Sequence, residues 1–203
     1  NLVRFEEPVL LSTNDGTTLR GANNVDTYSG DAIGFWTLNA SAAVDEEGLD
    51  QSEVSRLLRD DAVEFISDNL SDLPAVVTAR IGRVWSIYRP LQMVEWNTGE
   101  GRERWVSHLA LAGWFVVVPL AAVGWWRLRR DGVPTWMLGA TLVHVSIVAA
   151  LFYGIPRFRV PAEIALVVWA AVGICALSSL ATCRHKNMPS RSELTFSSPP
   201  SSS

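Results

Sequence analysis

The sequence predicts a mainly α-helical membrane protein, with three C-terminal transmembrane helices after an extracytoplasmic α+β segment made of a short β-hairpin and amphipathic helices. Three observations predict it. Hydrophobic residues make up 48% of the 203 positions, and mean hydropathy is positive, at +0.17. The apolar residues are concentrated in three long runs after residue 105. Charge divides the chain at the same place: residues 1–104 carry 9 Arg against 18 Asp or Glu, a net of −9, whereas residues 105–203 carry 8 Lys or Arg against 3 acids, a net of +5. An acidic half made for water therefore precedes a basic, apolar half made for lipid.

Within residues 1–104, VLLSTNDGTTLRGANN predicts two short strands joined at Asn14-Asp15-Gly16, because these residues tolerate positive φ between β-favouring runs. DTYSGDAIGFWTLNASAA reads as a glycine-punctuated loop, and Asp45-Glu46-Glu47 after it as a solvated loop or, alternatively, a loose cation site. LDQSEVSRLLRDDAVEFISDNL places Val54, Leu57, Leu58, Phe65 and Ile66 at helical spacing, which predicts an amphipathic helix from about Ser52. Ser71-Asp72 before Leu73-Pro74 signals another helix start, and this helix runs to Pro90. Its Arg80 and Arg83 share a face, read as a solvated arginine stripe over a buried apolar side, on a helix lying along the bilayer surface or packed on the spans.

In the second half, spans are expected at about 106–126, 135–153 and 162–181. At about 1.5 Å rise per residue each comes close to the roughly 30 Å hydrocarbon core. Trp105, Trp125, Trp126 and Trp136 fall near the span ends, where amphipathic rings prefer to sit. RLRRDG (127–132) and CRHK (183–186) place those flanks on the cytoplasmic side by the positive-inside rule, so residues 1–104 and the 153–163 connection face outward. Cys175 and Cys183 are not placed for an extracytoplasmic disulfide. The chain starts at Asn1 without a charged-then-apolar leader, so it is expected to be the C-terminal part of a longer protein with earlier spans. Residues 183–203, Ser- and Pro-rich from Pro189, are expected to be a disordered cytoplasmic tail.

The sequence contains no HExxH, CxxC pair, GxSxG, Walker-type phosphate loop or GxGxxG, so soluble nucleotide chemistry has no motif to rest on. No metal and no cofactor is expected, and nucleic acid is not an expected partner. His144, mid-span, reads as a neutral histidine bonded to a neighbouring helix, or as a metal ligand without a second ligand in view. The connection YGIPRFRVPAE is the chemical oddity, since Arg157 and Arg159 break the charge rule that orients the spans. Pro156 and Pro161 bracket it, which predicts an extended segment with both arginines on one side and Phe158 on the other. Two such guanidiniums form a fork for phosphate oxygens, or they snorkel to lipid headgroups.

The succession STNDGTTLRGANN, TYSGDAIGFW, LPAVVTARIGRVWSIYRP and YGIPRFRVPAE, over roughly residues 1–182, resembles the C-terminal part of bacterial GT-C membrane glycosyltransferases. The likeness is greatest to the group holding protein O-mannosyltransferases and the aminoarabinose transferase of lipid A. It implies an integral-membrane transferase that moves a sugar from a polyprenyl-phosphate donor to an extracytoplasmic acceptor (protein, lipid or glycan). It also implies a location in the bacterial plasma membrane and a catalytic acidic residue in a first outer loop upstream of this chain, so no catalytic residue is assigned here. Carried onto these positions, it puts Arg157 and Arg159 at the donor phosphate, with Glu163, Asn14 and Tyr28 as supporting residues. The alternative is a non-enzymatic, membrane-anchored scaffold of the cell envelope, its arginines gripping lipid.

Overall fold

The computed structural model describes residues 14–38, 49–99 and 101–186, the last seven of these as helical backbone alone. The described residues are predominantly helical and contain no strand. Eight helices follow in order: α1 (Asp15–Ala22), α2 (Val25–Tyr28), α3 (Gln51–Asp68), α4 (Leu73–Val84), α5 (Pro90–Gly99), α6 (Arg104–Arg130), α7 (Trp136–Leu151) and α8 (Val160–Lys186). Short 3₁₀ turns lie at Gly30–Ala32 and Pro156–Arg159. The chain forms two compact units, residues 1–115 with 136–165, and residues 116–135 with 166–203.

The expected β-hairpin is absent from the described part of its range. Its second strand is helix α1, while its first, residues 9–12, lies outside the described residues. Gly16 shows why the prediction failed. It sits inside α1, is not among the positive-φ glycines, and is buried against Ser55 of α3, where a Cβ would overlap the Ser55 carbonyl. The glycine serves close helix–helix approach instead of a turn. The Gly16 amide donates to Ser55 Oγ at 3.1 Å, and Ser55 Oγ donates to Asp15 Oδ1 at 2.6 Å. The Arg59–Asp15 and Arg20–Asp61 ion pairs flank this contact; being partly exposed, they add little to it.

Helix α3 begins one residue before the expected Ser52, because Asp50 and Glu53 form a reciprocal capping box. Its buried residues, Ser52, Ser55, Leu58 and Ala62, recur every three or four positions. Helix α4 starts at Leu73 with proline in its first turn, as expected, but it stops at Val84, short of Pro90. Ser86 and Arg89 then take positive φ, 55° and 45°, and Pro90 opens α5 instead of ending α4. Behind this corner Val84, Val145, Ala149 and Ala162 form a buried apolar cluster with Trp85, Leu142 and Phe158 packed on it.

Two helices, α6 and α8, each of 27 residues, contain segments long and apolar enough to cross a membrane. The third expected span, 135–153, is an apolar helix of 16 residues, α7, short of the ~20 that a crossing takes. Leu109, Phe115 and Ile147 stand more than half exposed on α6 and α7, as do Ile164, Val167 and Ile174 on α8. In the second unit Gly124 and Gly173 bring the backbones of α6 and α8 together: a Cβ on Gly124 would overlap the Trp169 carbonyl, and one on Gly173 the Leu120 carbonyl. Helix α8 continues through residues 183–186, so the expected tail is helical there, and its remainder lies outside the described residues.

If close approach is what Gly16 provides, Gly16→Ala should lower stability by about 1–3 kcal/mol, the usual penalty of overpacking a tight contact. Gly139→Ala, whose added Cβ would meet nothing within 4 Å, should not. Thermal unfolding of the purified protein checks this, and an unchanged midpoint for Gly16→Ala would remove the argument.

Candidate functional site: an arginine-lined cleft

The site is built on α4, whose Arg80 and Arg83 were expected to face solvent. They are instead among the most deeply buried side chains, 2% and 0% exposed. The apolar pattern alone could not show this, because their partners are backbone carbonyls distant in sequence. Arg80 Nη2 donates to the Ala22 carbonyl (2.7 Å) and Asn23 Oδ1 (2.9 Å), and Nη1 to the Ala150 carbonyl (3.1 Å). Arg83 Nη2 donates to the Asp31 carbonyl (2.6 Å), Nε to that of Ile33 (2.7 Å), and Nη1 to Gln92 Oε1 (3.0 Å). The rings of Trp96, Tyr88 and Phe35 surround the Arg83 guanidinium at 5.0, 5.3 and 5.9 Å.

Neither buried cation has a carboxylate partner among the described residues. Burial pushes the Arg80 pKa down, and that of Arg83 down to about 10. Arg83 therefore stays protonated at neutral pH, and both guanidiniums hold their carbonyls by donating hydrogen bonds. The segments they hold belong to the motifs noted in the sequence: Asn23 to GANN, Asp31 and Ile33 to SGDAIGFW, Ala150 to the α7 end before YGIPRFR. The last two also meet directly. The Gly154 amide donates to the Gly34 carbonyl (2.9 Å), and a Cβ on Gly154 would overlap the Arg80 backbone. Gly34, at φ +75°, lies equally close to Ala79 and Arg80.

This frame positions a cleft of about 280 Å³. The Pro156–Arg159 turn and the start of α8 give it Arg157, Arg159, Val160 and Glu163. Met93, Val94 and Asn97 come from α5, Val106, Ser107, Ala110 and Leu111 from α6, and Ser86 and Arg102 from the connections. A smaller recess, about 30 Å³, adds Phe35 and Trp96 and shares Arg102 and Arg157 with it.

The RFR connection is not extended. Pro156 opens a 3₁₀ turn and Pro161 lies in the first turn of α8, so the two prolines start helical elements instead of bracketing a strand. At three residues per turn, positions two apart point in different directions. Arg159 accordingly turns inward, 7% exposed, while Arg157 is exposed. Arg159 is held on three sides: Nε pairs with Glu163 Oε1 (2.7 Å), Nη1 donates to Ser86 Oγ (2.6 Å), and the guanidinium lies 3.8 Å from the Trp114 ring centroid. Trp114 is fixed in turn, stacked on Trp85 at 6.0 Å and donating through Nε1 to the Trp85 carbonyl (3.1 Å). Ser86 reaches Arg159 from a left-handed backbone conformation, a strain of the kind that collects at functional sites.

The structure thus brings Arg157, Arg159 and Glu163 together in one cleft, but not Asn14 or Tyr28. Asn14 caps α1, its carbonyl accepting from the Thr18 amide and hydroxyl. Tyr28 is buried edge-on to Phe65, its hydroxyl donating to Asn23 Oδ1 at 3.0 Å. Burial raises the Tyr28 pKa, opposed by the nearby Arg80 charge. His144 is exposed and has no hydrogen bond among the described residues, so the expected bond to a neighbouring helix is not found. Ser86, Arg102 and Trp114 were not foreseen. No periodicity marks Ser86 or Trp114; for Arg102 the available signal is the preceding Gly101, a residue type suited to turns.

Arg83→Met should leave the part-buried Asp31 and Ile33 carbonyls without their donor and lower the unfolding temperature clearly, whereas Arg129→Met, on an exposed side chain, should leave it nearly unchanged. Equal midpoints for the two variants would show that the Arg83 bonds do not hold the frame. No family model, curated protein or solved structure matches the chain.

Proposed function

We propose that this chain is part of an integral-membrane glycosyltransferase that moves a sugar from a polyprenyl-phosphate donor to an acceptor on the outer side of the bacterial plasma membrane. The observation that carries this reading is the cleft: a clamped Arg159 and an exposed Arg157 on a wall that is otherwise largely apolar. Such a surface suits an anionic head on a hydrocarbon chain. The likeness of the four sequence segments to GT-C transferases supports the same reading. When the sugar leaves, negative charge grows on the departing phosphate oxygens, and cations already fixed beside them stabilise that charge more than the ground state. No residue of this chain is assigned as the general base.

In this reading α6 and α8 cross the membrane, and α7 makes a shorter third crossing with local thinning of the bilayer. The basic 127–130 segment is cytoplasmic and residues 1–104 are outside. With the native cysteines replaced by serine, single cysteines at the exposed positions Asp60 and Gly99 should react with a membrane-impermeant thiol reagent in whole cells, and one at Gly132 should not. Equal labelling at all three would overturn the orientation.

In the intact enzyme, Arg157→Ala should reduce sugar transfer about ten- to a hundred-fold, the worth of a charge-assisted hydrogen bond of about 1.5–3 kcal/mol acting in the transition state. Arg159→Lys keeps the charge but loses the planar fork, so transfer should fall substantially with membrane insertion intact. Glu163→Gln should have a smaller effect. Wild-type transfer and unchanged donor affinity in both Arg157→Ala and Arg159→Ala would instead favour a non-enzymatic anchor whose arginines grip headgroups.

A further inference from the structure

Arg102 lines both the cleft and its recess, as Arg157 does, and its side chain makes no hydrogen bond or ion pair among the described residues. Its position is set by backbone. Gly101, at φ +83°, turns the chain after α5, with its amide on the Thr98 carbonyl (3.0 Å) and the Arg102 amide on that of Asn97 (3.2 Å). This folds Arg102 back over the end of α5, beside the Asn97 side chain that also lines both spaces. The described cleft lining then holds three arginines and a single carboxylate, Glu163, already paired with Arg159. A phosphodiester donor brings one negative charge, whereas a phosphate monoester carries about −1.5 to −2 near neutral pH.

We infer that Arg102 contacts ligand directly and sets the charge class the cleft prefers, a phosphate monoester on an apolar chain over the corresponding diester. This rests on the lipid-phosphate reading above and adds to it that the cleft holds the departing carrier more tightly than the arriving donor. Val94, Val106, Leu111 and Val160 supply the apolar wall for the first carbons of the chain. Free phosphate lacks that contribution and the diester lacks the second charge.

The test titrates the full chain in non-ionic detergent at pH 8 with dodecyl phosphate, dodecyl methyl phosphate and inorganic phosphate, read by intrinsic tryptophan fluorescence. Dodecyl phosphate should bind about ten-fold more tightly than its methyl ester, the scale of one additional charge-assisted contact, and more tightly than inorganic phosphate. Arg102→Gln should bring the monoester-to-diester ratio close to one by weakening the monoester alone, and Arg102→Lys should keep most of it. Arg102 is exposed, so these variants leave the packed frame intact. A ratio near one in the wild type, or an unchanged ratio in Arg102→Gln, overturns this inference and leaves the transferase reading standing. Inorganic phosphate binding as well as dodecyl phosphate refutes the lipid class, and no binding of any probe overturns both readings.

Discussion

The first unit depends on two buried guanidiniums that have no carboxylate partner among the described residues. Placing a guanidinium in a protein interior is unfavourable unless its donors are met, and here they are met mainly by main-chain oxygens from segments remote in sequence. A carboxylate partner would satisfy the same donors with one residue. Carbonyls need several stretches of chain to converge, so each arginine works as a cross-brace. Helix α4 is thereby tied to the α1–α2 corner, the 31–35 loop, the end of α7 and, through Gln92, to α5. Of the tied elements α5 lines the cleft itself, and the Pro156–Arg159 turn follows closely on the α7 end that Arg80 holds.

Much of this was legible in the sequence, and what was not had a physical cause. The helices from Gln51 and Leu73 announce themselves through capping residues and an early proline, which act locally. The apolar runs of α6 and α8 are equally plain. The misread positions are those where one residue type serves two purposes. Asn-Asp-Gly can make a turn, yet Gly16 is needed for contact with Ser55, forty positions away along the chain to within a residue. Arginines spaced three apart on a helix usually face water, and only the carbonyls converging on Arg80 and Arg83 decide otherwise. The prolines of the RFR connection fix φ at values shared by extended and helical backbone, so they predict a break without choosing its form.

The candidate site divides the same way. Arg157, Arg159 and Glu163 stand out as charges in an apolar neighbourhood and fall together in one cleft. Asn14 and Tyr28 were associated with it through neighbouring motifs, but they serve the α1 cap and the Asn23 hub. Ser86 and Trp114 carry no charge and no motif. Their part comes from tertiary geometry, one through a left-handed corner and the other through a stacked ring.

The clamp on Arg159 bears on entropy. A free arginine side chain samples many rotamers, and ordering one on ligand binding costs on the order of 0.5–1.5 kcal/mol before any contact counts. Glu163, Ser86 and Trp114 impose that order when the chain folds, and the face against Trp114 has already shed its water. An anion reaching this guanidinium would meet a donor whose direction is already set, with little left to freeze. Arg157, on the same turn, lies exposed, so two arginines separated by one residue present different surfaces to the same visitor, one a fixed and partly dehydrated socket and the other a side chain still in contact with water.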